Sequence, residues 1–173
     1  MRPKIWIPVL VVFALIAAAC GSNSAETGGS VIATGSCSLE LPADLSDEQV
    51  IWSLIAAESE YMVGQKIDEL MRLWSGNALI TDVGNTPDDR TDDQTWKGQD
   101  AIRYRYVRNI FPSAPMLAAP DDLNIHLIGA DRAEVTSTTR INLETSPAGD
   151  RWELLKDNGC WYLDRLEYNR ELQ

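Results

Sequence analysis

The sequence of 173 residues has one histidine, three cysteines and two phenylalanines, and its 15 basic residues are outnumbered by 26 acidic ones. Each shortage excludes something. The single histidine, His126, cannot supply the ligand set of a zinc site, and Asp88, Asp89, Asp92 and Asp93 do not follow EF-hand spacing, so no metal is expected. Gly-rich phosphate loops and nucleophile elbows are missing too, and no cofactor is expected. The acidic excess repels phosphate backbones and anionic head groups, which excludes nucleic acid as a partner. The one long apolar run, Ile5–Ile16, is too short for a good membrane span.

That run has another reading. Arg2 and Lys4 precede it, and Ala17-Ala18-Ala19-Cys20 follows. A basic start, a short apolar stretch and small residues before a cleavage point describe a secretory signal. The cysteine after the small residues resembles a bacterial lipobox, although Ala17 stands where that motif prefers Leu. Residues 1–19 are therefore expected to be a lipoprotein signal peptide and Cys20 the lipidated (palmitate-bearing) first residue. The chain would sit on the extracytoplasmic face of the cell membrane, anchored by lipid and not by charge. Cleavage leaves 13 basic against 26 acidic residues, a net charge of −13. Export also suits the remaining cysteines, Cys37 and Cys160, an even pair in an oxidising compartment. A bond between them would close most of the domain into one loop, worth about 4–5 kcal/mol in the chain-entropy model; the alternative is two free thiols.

Residues 20–44 read as a Ser/Gly-rich tether and 45–173 as one domain. Ser46 and Gln49 form a capping box for a helix to about Gly64, with Val50, Ile51, Leu54, Ile55, Tyr61 and Met62 on one stripe. A shorter helix carries Ile67, Leu70, Met71 and Trp74. Residues 78–83 form a strand, with Ala78, Ile80 and Asp82 on one side. A loop rich in Asp follows, and Trp96-Lys-Gly98 opens a third helix over 98–111 that Pro112 stops. Beyond Pro120 the period becomes two, with strands over 123–128, 132–143, 150–157 and 160–168. Asn158-Gly159 marks a hairpin that sets Leu154 opposite Leu163 and Trp152 opposite Arg165. The pattern is α+β: a cone-like, curved antiparallel sheet packed against three N-terminal helices.

This element order resembles the nuclear transport factor 2-like superfamily. The resemblance is carried by Asp68–Trp74 leading into Ala78–Asp82, by the word Trp96-x-Gly98-x-x-Ala101-Ile102, and by the closing Asn158-Gly-Cys-Trp161 hairpin. The SnoaL-like and ketosteroid-isomerase-like branch is the most similar. It implies a cavity between helices and sheet, an activity of isomerase, dehydratase or cyclase type or none, and often a homodimer through the sheet face. Asp82 matches the position of the general base in the steroid isomerases. Their oxyanion-donating tyrosine is replaced here by Ala57, so that motif is broken; Tyr61, one turn on, is a substitute. His126, if it faces the cavity with Asp82, would complete an acid–base set like those of dehydratases.

The residues themselves single out Glu58. At 100° per residue from Val50 the apolar stripe centres near about 70°, and Glu58 falls at about 80°, so a carboxylate stands on the face to be buried. It needs a cation, a hydrogen-bond donor or a wet cavity, and a core carboxylate satisfied by Arg or Tyr is the plainer reading. Arg103 is the expected partner, placed on the inner side of the third helix with Ile102, Tyr106, Val107 and Ile110, while Arg105 and Arg108 are expected in solvent. The alternative role for Arg103 is holding an anionic ligand. Three functions follow. The preferred one is a lipid-anchored module binding a small, partly apolar ligand between Tyr61, Trp74, Trp96, Arg103, Tyr104 and Trp161. The others are an acid/base enzyme using Asp82 or Glu58, and a structural, dimerising lipoprotein.

Overall fold

The computed structural model describes residues 37–84, 86, 89–113, 116, 122–137 and 148–170. Cys20, the signal peptide, the tether up to residue 36 and the expected strand residues 138–143 lie outside the described residues. The chain divides into two compact units, Met1–Ile32 and Ala33–Gln173, of which the second holds the described fold.

Helix α1 spans Asp47–Val63 and opens on the expected capping box. Ser46 Oγ accepts from the Gln49 amide at 3.3 Å, and Gln49 Oε1 accepts from the Ser46 amide at 2.9 Å. These bonds satisfy donors that a helix start otherwise leaves open. Its inward residues are Ile51, Leu54, Ile55, Glu58, Ser59 and Met62, spaced three and one along the chain as one helical face. Each aliphatic side chain there contributes up to about 1.5–3 kcal/mol through burial. Helix α2 (Ile67–Leu73) leads directly into strand β1 (Trp74–Asp82).

Gln94–Lys97 is a strand, β2, where the loop and helix start were expected. It pairs antiparallel with β1, setting Trp96 beside Ile80, and Gly98 at φ 81° turns the chain into α3, Gln99–Arg105. A non-glycine residue is strained at that φ, which explains why the Trp-x-Gly word separates strand from helix here. α3 widens into a π turn at Tyr106–Ile110 before a short 3₁₀ turn at Phe111–Ser113.

Strands β3 (Asn124–Ile128), β4 (Arg132–Ser137), β5 (Asp150–Asp157) and β6 (Cys160–Tyr168) complete a six-stranded sheet in the order β2-β1-β6-β5-β4-β3. The fold is α+β, as expected, with one difference: β1 and β6 run parallel, so the sheet is mixed. The β5–β6 hairpin turns at Asn158 (φ 49°) and Gly159 (φ 82°), the pair of positive angles that a two-residue type I′ turn needs. Leu154 faces Leu163 as the turn dictates. A register shift between Glu153 and Leu154 then corrects the next expectation, placing Trp152 opposite Leu166 and Glu153 opposite Arg165. Without that bulge Trp152 would stand beside a charge.

The sheet has two unlike faces. The inner one carries Ala133, Val135, Trp152, Leu154, Leu163 and Leu166 against α1. On the outer one Arg151 reaches Glu134 at 2.8 Å, Glu153 at 3.4 Å and Glu167 at 3.7 Å. A disulfide joins Cys37 to Cys160 with Cα atoms 5.4 Å apart, and Leu39 packs against the core. Residues 37–44, read from the sequence as tether, form a strap over the domain.

Candidate functional site

Inside the fold, α1, α3 and the inner sheet face converge on one polar cluster. Glu58 sits there, buried as its place on the α1 stripe requires. Its partner is not Arg103. Tyr106 donates its hydroxyl hydrogen to Glu58 Oε1 at 2.5 Å, and the buried guanidinium beside them is that of Arg105. Arg103 instead bonds Asp68 Oδ1 at 2.9 Å across α2 and α3, with 43% of its side chain exposed.

The reversal of the two arginines has a local cause. Counting Val107 as an inner residue swings the α3 stripe towards Arg103. The π turn lengthens the repeat after Arg105, so Ile102, Arg105, Tyr106 and Ile110 share the buried side and Val107 is exposed. Ile102, Tyr106 and Ile110 alone, at intervals of four, admit Arg105 as a neighbour; that was the signal available.

Arg105 is enclosed by rings. Its guanidinium carbon lies 4.7 Å from the Tyr168 ring centroid and 5.3 Å from those of Trp96 and Tyr106. Burial works against its charge, but the Tyr168 and Tyr106 oxygens and Glu58 outweigh it and hold the guanidinium above its usual pKa. Glu58 moves the other way: burial pushes its carboxyl up, and the Tyr106 hydrogen bond and the Arg105 charge offset this only in part. Tyr106 is pushed well above the ordinary phenol value, by burial first and by Glu58 second. Burial thus shifts the Glu58 carboxyl and the Tyr106 phenol towards their neutral forms, while the guanidinium keeps its charge.

Two buried donors are left over. Arg105 Nε and Trp74 Nε1 have no hydrogen-bond partner among the described residues, although the Arg105 side chain also hydrogen-bonds the Tyr168 hydroxyl. The Trp74 indole lies close enough to Tyr106 to pull down the phenol's pKa slightly, without hydrogen-bond geometry. Native interiors seldom leave such groups open, because each costs about 1–3 kcal/mol.

The other sequence-selected residues scatter. Trp74 and Trp96 belong to the cluster. Asp82, at the end of β1, accepts from the Gly84 amide at 3.1 Å and from Asn169 Nδ2 at 2.8 Å, tying the ends of β1 and β6 together; Tyr168 is its neighbour across the strands. His126 is exposed on β3, opposite Glu134 on the outer sheet face, and is not brought to Asp82. Tyr61 is half-buried with the Lys66 ammonium 5.3 Å above its ring, and Tyr104 is 61% exposed. Trp161 is buried elsewhere, donating Nε1 to Asp47 Oδ1 at 2.8 Å. Sequence reasoning missed Arg105 and Tyr168, and it placed Tyr106 on the inner side of the third helix without pairing it with Glu58. Among the described residues no group of three or more metal-ligating side chains occurs.

The described cavities include one of about 410 Å³ under the strap, one of about 450 Å³ beside Trp52 and one of about 390 Å³ beside Asp164. None of these three is lined by Glu58, Arg105 or Tyr106.

No family model matches the sequence, and no curated protein does either. Solved structures do match. A cystatin-like fold protein of unknown function from Nostoc punctiforme superposes with a TM-score of 0.57 at 16% identity, over 75% of this chain and 93% of the other. A nuclear transport factor 2-like protein with a cystatin-like fold from Novosphingobium aromaticivorans gives 0.56 at 17% identity, over 70% and 79%. A LinA-type hexachlorocyclohexane dehydrochlorinase from Novosphingobium barchaimii gives 0.54 at 14% identity, over 69% and 83%. The chain has the nuclear transport factor 2-like fold.

Proposed function

We propose that the domain binds a small, partly apolar molecule bearing an oxygen acceptor, held inside the fold at the Glu58–Tyr106–Arg105–Trp74 cluster. The observation that carries this reading is the pair of buried, unpartnered donors, Arg105 Nε and Trp74 Nε1. An acceptor oxygen arriving between them would satisfy both, and the surrounding Trp96, Trp152 and Tyr168 rings would cover an apolar body. Arg105 supplies the one lasting charge, which favours a carboxylate or enolate over a neutral carbonyl. In this reading the module works outside the membrane, held by lipid on Cys20; the N-terminal sequence pattern and the Cys37–Cys160 pair support that address.

The enzyme reading has one specific observation in its favour. A carboxyl whose pKa is raised by burial, hydrogen-bonded to a phenol, can lend a proton to a developing oxyanion. Glu58, not Asp82, would be its acid. The binding reading ranks first because the cluster has no second polar side chain shown free to take a proton.

Titration with 2-naphthoate, followed through tryptophan fluorescence, tests the proposal. Wild type should bind it, and Tyr106→Phe should weaken binding severalfold. Naphthalene, lacking the oxygens, should bind far less well. Equal binding of the two probes, or of the two proteins, would contradict it.

A further inference from the structure

The cavity under the strap is separate from this cluster. Its volume of about 410 Å³ suits a small ligand. Leu39 and Leu41 of the strap roof it, and Val50 and Leu54 of α1 line the other side. One end is polar. There Asp47 Oδ1 accepts from Lys156 Nζ at 2.7 Å and from Trp161 Nε1 at 2.8 Å, which fixes the ammonium at the cavity wall. Lys156 Nζ also lies 5.4 Å from the Trp161 ring centroid.

The chemistry of the walls selects a ligand. Lys156 Nζ lies over the Trp161 ring, and Leu39, Leu41, Leu45, Val50 and Leu54 supply aliphatic wall that suits a saturated chain. An ammonium has three N–H bonds, and among the described residues Asp47 receives the only hydrogen bond Lys156 Nζ donates. Asp47 Oδ1 already accepts twice. The remaining Lys156 N–H bonds can therefore be offered to an anionic head.

We infer that the strap cavity is a second binding site, for a single-chain carboxylate, with the chain under Leu39 and Leu41 and the head on Lys156. The roof is tied to the sheet by Cys37–Cys160, so the site keeps its shape only while that bond is intact. Occupancy is then linked to an oxidising surrounding.

Photolabelling of the full chain in lipid nanodiscs with a diazirine-bearing decanoate, mapped by mass spectrometry, tests this. Label should fall on Leu39, Leu41, Val50 or Leu54, and unlabelled decanoate should compete it away. Lys156→Gln should lower labelling by about tenfold, because a hydrogen bond to charge is lost, while labelling by the matching decanol probe stays unchanged. Val50→Trp, which fills the cavity, should abolish both; Leu41→Trp on the irregular strap does the same if the first variant does not fold. Reduction of the disulfide should lower labelling severalfold. Tyr106→Phe, in the other site, should leave it intact. Label confined to Glu58 or Trp74, no label in the oxidised wild type, or indifference to Lys156→Gln would overturn the assignment.

Discussion

Two carboxylates on the same helix meet opposite fates. Asp47, in the first turn of α1, has its Oδ1 doubly bonded by Lys156 and Trp161, and the Lys156 bond foremost lowers its pKa. Glu58, three turns on, has one bond from Tyr106, and burial raises its pKa. Around Asp47 the Trp161 donor is used, and the Lys156 ammonium is bonded once and partly exposed. Around Glu58 two buried donors are idle. Asp47 holds parts of the fold together, whereas the Glu58 cluster costs the fold stability that a structural role does not explain. Unsatisfied polarity of this kind is common where a ligand completes the network.

Breaking the Asp47 side should have the larger effects. Replacing Cys37 and Cys160 by Ser frees a loop of 123 residues and should cost about 2–5 kcal/mol, read as a lower urea midpoint. Asp47→Ala strands the Trp161 indole and should cost about 1–2 kcal/mol, a modest figure because the Asp47 side chain is 36% exposed. Its contribution has a pH signature. A depressed carboxylate stabilises above its unfolded pKa, and the contribution disappears as pH falls through the lower folded value. The gap between wild type and Asp47→Ala should therefore narrow below the ordinary carboxylate range.

Glu58 sharpens the comparison with the opposite sign. Its pKa is raised on folding, so the unfolded chain releases the proton first. Stability then falls as pH rises from the ordinary carboxylate value towards the folded one. Glu58→Gln keeps an acceptor for Tyr106 and removes that slope. It should match wild type in acid and exceed it at alkaline pH, measured by urea unfolding across pH. The smallest effect belongs to Arg103→Met, which breaks only the exposed pair with Asp68 and should change stability by less than about 1 kcal/mol.

Much of this was legible in the residues. The capping box, the Asn158-Gly159 turn, the cysteine pair and the buried place of Glu58 are local or periodic signals, and each has a direct structural counterpart. The misses share a cause. A π turn and a bulge change the repeat by one residue, and a side chain one position away lies on another face. Hence an unbroken repeat puts Arg103 on the buried side, Arg105 in solvent and Trp152 beside Arg165. Strand β2 was hidden because four residues ending in a Trp-Lys-Gly step read as a helix start, and only pairing with β1 makes them a strand. Asp82 and His126 depend on tertiary placement, which no local pattern carries.

The central claim is that Arg105 is kept for a ligand and not for the fold, and the unfolding free energy of Arg105→Met without ligand tests it most directly. The rings around Arg105 can pack a thioether, and Glu58 can hold its proton without the cation. The account predicts a variant as stable as wild type or more so, and unable to bind 2-naphthoate. A loss of about 3–5 kcal/mol, the cost of breaking a buried charge network that the fold requires, would contradict it.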